Sequence, residues 1–133
     1  MARTLFSIFG ETDGSSTTGI FTLRSEIFYD TVDYIRLDKG LKLKIWGIRI
    51  TGDAVRVILN KTEDVTAATP DWTAIGDVII GELPSKGSID IELRRPILIH
   101  YKTGNEAIRF RWEQSTAAKS SIEIKVEVTD EEE

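Results

Sequence analysis

The chain has 133 residues, 41% of them hydrophobic and 29% charged, with a formal net charge of −5, one His, one Met and no Cys. That length suits one domain with its own core, and the missing Cys excludes disulfide frameworks, thiolate nucleophiles and Cys-based zinc or iron–sulfur sites. Asp130, Glu131, Glu132 and Glu133 supply four of the 22 acids, leaving 18 against 17 Lys and Arg, so a single domain at 1–129 is nearly neutral and 130–133 reads as an acidic tail.

Taken in chain order, a first strand is expected at 3–9, with Leu5 and Phe9 on one parity and Phe6 and Ile8 on the other. A strand apolar on both faces can add to a neighbouring subunit's sheet edge where its own domain leaves it open, which marks Leu5, Phe6, Ile8 and Phe9 as self-association candidates. Coverage by its own domain is the competing expectation. After the turn at Asp13-Gly14-Ser15-Ser16, strands are expected at 20–26 and 31–37. Between 41 and 50 the apolar phase switches from Leu41, Leu43 and Ile45 to Trp46, Ile48 and Ile50, which calls for a β-bulge or bend near Gly47. Thr51-Gly52-Asp53 then turns the chain into 54–60, and the two segments read as a hairpin.

A single helical turn fits 62–68, ahead of Pro70, and a further strand fits 74–81. Ile89, Ile91 and Leu93 alternate with Ser88, Asp90 and Glu92 in another strand at 88–93. The run at 95–102 is apolar on both parities, so it is expected to be a strand covered on both sides, with Pro96 at its start. At 107–113, Ile108, Phe110 and Trp112 face the core and Arg109, Arg111 and Glu113 face outward; at 122–128, Ile122, Ile124, Val126 and Val128 do the same against Glu123, Lys125 and Glu127. The expected fold is an all-β, single-domain antiparallel β-sandwich, jelly-roll-like or Greek-key, with about 8–10 strands and little helix.

Candidate chemistry is sparse. His100 is the single histidine, the residue type most often used as a general base, but it sits in an apolar strand with no nucleophile or second ligand beside it in sequence, so a structural role is expected. None of the standard hydrolase, nucleotide-loop or metalloprotease spacings occurs. Glu11 and Asp13 are too few to define a calcium loop, so no metal and no cofactor are expected. Arg109-Phe110-Arg111-Trp112 resembles a nucleic-acid strand on the surface, but alternation sends the rings inward and the arginines to acids on adjacent strands, and the near-neutral body disfavours nucleic acid as a partner.

Trp72 stands apart because it lies in a loop, Ala68-Thr69-Pro70-Asp71-Trp72-Thr73, where it either caps the end of the sandwich or stacks on a sugar ring or a protein partner. Tyr29 and Tyr34 are the next binding candidates. No stretch approaches the ~20 apolar residues of a membrane span, and the N-terminus lacks the pattern of a signal peptide, so a virion or the cytoplasm is the expected location. The resulting expectation is a non-enzymatic structural or assembly protein, plausibly a homo-oligomeric virion capsid or decoration subunit. Abundant outward charge pairs and the absence of Cys also suit a heat-stable source. The alternative is a small carbohydrate-binding module that uses loop aromatics.

Overall fold

A strand that alternates as Ile122, Ile124 and Val126 do with Glu123, Lys125 and Glu127 is stable only where its apolar side meets a second layer. The computed structural model describes residues 5–26, 30–73 and 75–130. Nine strands form there: β1 (Phe6–Glu11), β2 (Thr18–Ile20), β3 (Thr22–Ser25), β4 (Leu41–Gly52), β5 (Val55–Thr62), β6 (Val78–Leu83), β7 (Gly87–His100), β8 (Ala107–Gln114) and β9 (Ser121–Asp130). Sheet A has the order β3-β1-β9-β4-β7 and sheet B the order β2-β8-β5-β6.

The pairings are nested. β1 pairs with β9 and β4 with β7 in sheet A, while β2 pairs with β8 and β5 with β6 in sheet B, all antiparallel. A long hairpin with its tip between β5 and β6, rolled so that successive pairs fall in alternate sheets, produces this order. It is the topology of a jelly roll, with the short β3 added outside β1. Between the sheets lie Ile8, Leu43, Ile45, Ile48, Ile50, Ile122, Ile124 and Val126 from sheet A and Val55, Val57, Leu59, Ile108, Phe110 and Trp112 from sheet B. Phe21 meets Trp112 edge-on, with ring centroids 5.1 Å apart, a geometry that suits the opposed charges of ring face and ring edge.

Several local expectations need correction. The 20–26 segment is two strands rather than one, because Phe21 drops into the core and the chain passes from sheet B to sheet A there. The 31–37 segment makes only two bridges, Leu23 to Val32 and Ile35 to Ile108, instead of a strand. The β4–β5 pair is not a hairpin: β4 belongs to sheet A and β5 to sheet B, so the turn at Gly52 carries the chain between layers. At 62–68 no helix forms; Asp64 instead accepts bonds from the Thr66 backbone and hydroxyl, which turns the chain locally.

The segments at 88–93 and 95–102 fuse into β7, and Pro96 lies inside it. Ile45 faces Ile97 while Gly47 faces Glu92, so 93–96 is an insertion opposite Trp46, and the bulge expected near Gly47 is present on β4 as well. β7 is the edge of sheet A, not a strand covered on both sides. Ile99 and Tyr101 are buried, but Leu98 points out. Asp130 closes β9 opposite Leu41, so the tail expected from 130 begins inside the sheet, and 131–133 lie outside the described residues.

Candidate functional site

Alternation along β8 turns Arg109, Arg111 and Glu113 to the outer face of sheet B, where cross-strand neighbours decide their partners. Arg56 on β5 is bound on both flanks, by Glu82 at 2.7 Å and Glu113 at 3.6 Å. Arg111 continues the chain of charges, meeting Glu113 at 3.3 Å and Asp77 at 2.8 Å. Asn60 donates to the other oxygen of Asp77 at 2.7 Å. Bonds from Asn60 first, and then from Arg111, hold the Asp77 carboxyl below the usual carboxylate range. Buried Asn60 is therefore committed to Asp77.

The connection from β5 to β6 folds back over this face. Asp71 accepts from the Thr73 backbone at 3.0 Å and from the Thr73 hydroxyl at 2.5 Å, and Thr73 bridges to Lys61. That turn sets Trp72 over the Arg109 guanidinium, 4.4 Å from its ring centroid. Ile35 bridges Ile108, one residue before Arg109, so Tyr34 arrives on the same side; its ring lies 6.1 Å from that of Trp72, tilted by 48°. Tyr34 and Trp72, two of the three binding candidates, thus come together although 38 positions separate them. Tyr29 lies outside the described residues. Trp72 lies over Arg109 on the outer face of sheet B.

The arginines divide. Arg111 behaves as expected, with acids on neighbouring elements, whereas Arg109 has no ion pair among the described residues and stacks on Trp72 instead. Its Nε is buried with no hydrogen-bond partner. Burial, and then the positive charge of Arg111, pull the Arg109 pKa below its ordinary value, and Asp77 only partly opposes them. The rings of Phe110 and Trp112 face the core, so the superficial nucleic-acid pattern dissolves as alternation required.

The self-association candidates lie on the opposite side of the molecule. β1 is paired with β9 from Phe6 to Glu11 and with β3 from Ile8 to Glu11, so along Ile8–Glu11 its backbone has no open side for a neighbour's strand. Ile8 is in the core and Phe6 packs against it, while Leu5 and Phe9 are 44% and 40% exposed on the outer face of sheet A. The guanidinium of Arg24 lies 5.8 Å from the Phe9 ring centroid. Across the strands this face reads Arg24, Phe9, Glu123, Arg49 and Asp90, with Arg49 bound to Asp90 at 3.2 Å. Beside that row, a shallow cavity of about 230 Å³ is lined by Leu5, Trp46, Ile91, Leu93 and Lys125 among others.

His100 ends β7 opposite Lys42, and among the described residues no cluster of three or more His, Asp and Glu is placed to hold a metal. Asp13 is occupied by the Ser15 and Ser16 backbone amides, which lower its pKa, and Glu11 faces Lys119 at 3.7 Å. Among the described residues no helix is long and apolar enough to cross a membrane. No family model matches the chain, and no curated protein matches it.

Proposed function

We propose that the chain is a non-enzymatic structural subunit that assembles with copies of itself, as a virion capsid or decoration subunit does. The outer face of sheet A carries this reading: Leu5, Phe9 and Leu98 stand out from it, 44%, 40% and 43% exposed, on a face that the sandwich itself does not use. Association through the face is favoured over association through the edge. The open side of β7 would be a template for strand addition, but the insertion places Arg94, Arg95 and Pro96 there, all of which oppose it.

The face also alternates acids with bases, so a second copy meets no surface of its own sign. On sheet B the run Glu82, Arg56, Glu113, Arg111 and Asp77 forms a connected ion-pair network. Single exposed pairs contribute little, but networks gain value as temperature rises, which supports a heat-stable assembly. Light scattering tests the reading. Wild-type protein is expected to give a discrete multiple of the 14.9 kDa chain mass, and Phe9→Asp to give the single-chain mass with the fold intact. A wild-type monomer at every concentration contradicts it.

A second reading, a small carbohydrate-binding module, is supported by one observation. The loop Trp72 and the exposed Tyr34 converge on one spot, as a stacking platform for a sugar ring requires.

A further inference from the structure

Three arginines, Arg56, Arg109 and Arg111, stand on the outer face of sheet B, and two of them are fully answered by carboxylates. Arg109 is the exception. Asp77, the acid nearest in kind, already gives one oxygen to Arg111 and the other to Asn60. Pinning the β5–β6 connection to the sheet would need no cation at this point, since a leucine under the indole would bury more apolar area without the cost of drying a charge.

The stacking geometry determines what Arg109 has left to offer. A guanidinium over an indole uses its face, and its N–H donors lie in its own plane, at its rim, in a fork that matches a carboxylate. Among the described residues those donors make no hydrogen bond, and only Nε is sealed off from solvent. Beside the indole stands Tyr34, 39% exposed, its ring tilted against that of Trp72. An aromatic surface next to a cation with no ion pair of its own is complementary to a ring with an apolar face and an attached carboxylate.

We propose that Trp72, Tyr34 and Arg109 form a binding site for an acidic saccharide, with the sugar ring on Tyr34 and the exposed part of Trp72 and its carboxylate on the terminal nitrogens of Arg109. This inference rests on the carbohydrate reading and adds the charge of the ligand to it. Arg111 and Asp77 neutralise each other beside the site, so the net attraction for an anion comes from Arg109. The association weakens as salt is raised.

Calorimetric titration of the full chain with three probes tests the site: an oligogalacturonate, the neutral galacto-oligosaccharide of the same length, and polyglutamate. Binding of the oligogalacturonate alone is expected, weakened about tenfold or more in Arg109→Gln, where the charge-assisted pair is lost, and similarly in Tyr34→Ala. Circular dichroism of each variant establishes that the sandwich is intact. Equal binding of the neutral and acidic sugars, unchanged in Arg109→Gln, overturns the acidic assignment and leaves the carbohydrate reading standing. Binding of polyglutamate as tight as that of the oligogalacturonate, unchanged in Tyr34→Ala, overturns the saccharide assignment. No binding of any probe overturns both.

Discussion

Glu106 shows how a single residue can hold a turn that composition does not reveal. It is 97% buried by the rest of the chain, with a relative exposure of 3%, yet its carboxylate accepts from the backbone of Lys102 at 3.0 Å, Thr103 at 3.2 Å and Gly104 at 3.0 Å, and from the Thr103 hydroxyl. Burial alone would raise its pKa; the hydrogen bonds outweigh it and leave the group below its ordinary value. A carboxyl lowered in this way contributes stability that is complete above the unfolded-state pKa of about 4.3 and is lost as pH falls through the folded value. Glu106→Gln is therefore expected to cost about 1–3 kcal/mol at neutral pH, with the gap from wild type closing in acid, as read by urea melts at several pH values. A gap independent of pH contradicts the role of the charge. At this scale the sequence marked Trp72 by its loop setting and offered Tyr34 after it, but gave Arg109 only as an outward partner for acids and gave no role to Asp77 or Asn60. Asn60 did leave a trace, as a lone amide ending the apolar run from Val57 to Leu59.

Among the elements, those with clean period-two alternation, β8 and β9, lie where the residues placed them, because one dry and one wet face leaves a strand a single orientation. The misreadings share a cause. Local pattern describes a strand's faces and is silent on which sheet it joins, so the turn at Gly52 looked like a hairpin and the break at Phe21 was invisible. The same blindness placed 95–102 in the interior: its second apolar parity, Leu98, is exposed at the edge of sheet A. The switch of phase at Gly47 was readable, and its geometry makes a firm prediction. A Cβ on Gly47 would come within 2.8 Å of the Ile91 carbonyl oxygen, so backbone must move. Gly47→Val is expected to destabilise the fold by about 1–3 kcal/mol, seen as a lower urea midpoint at unchanged slope, while a variant as stable as wild type contradicts the close approach of β4 and β7.

For the whole molecule, the nested pairing of β1 with β9, β2 with β8, β4 with β7 and β5 with β6 explains why a nearly neutral, alternating chain becomes a closed sandwich with two outer faces of different character. Sheet B carries an ion-pair network, the Trp72 cluster and the exposed Ile79 on its outer face, and sheet A leaves Leu5, Phe9 and Leu98 uncovered. A jelly roll serves virion shells and lectins alike, so the fold does not choose between them. Photochemical carbene footprinting of the protein, compared between concentrated and highly dilute solution, addresses that choice most directly. Assembly through sheet A predicts that labelling of Leu5, Phe9 and Leu98 falls at high concentration while labelling of Tyr34 and Ile79 on sheet B stays constant. Labelling of Leu5, Phe9 and Leu98 that is the same at both concentrations contradicts it.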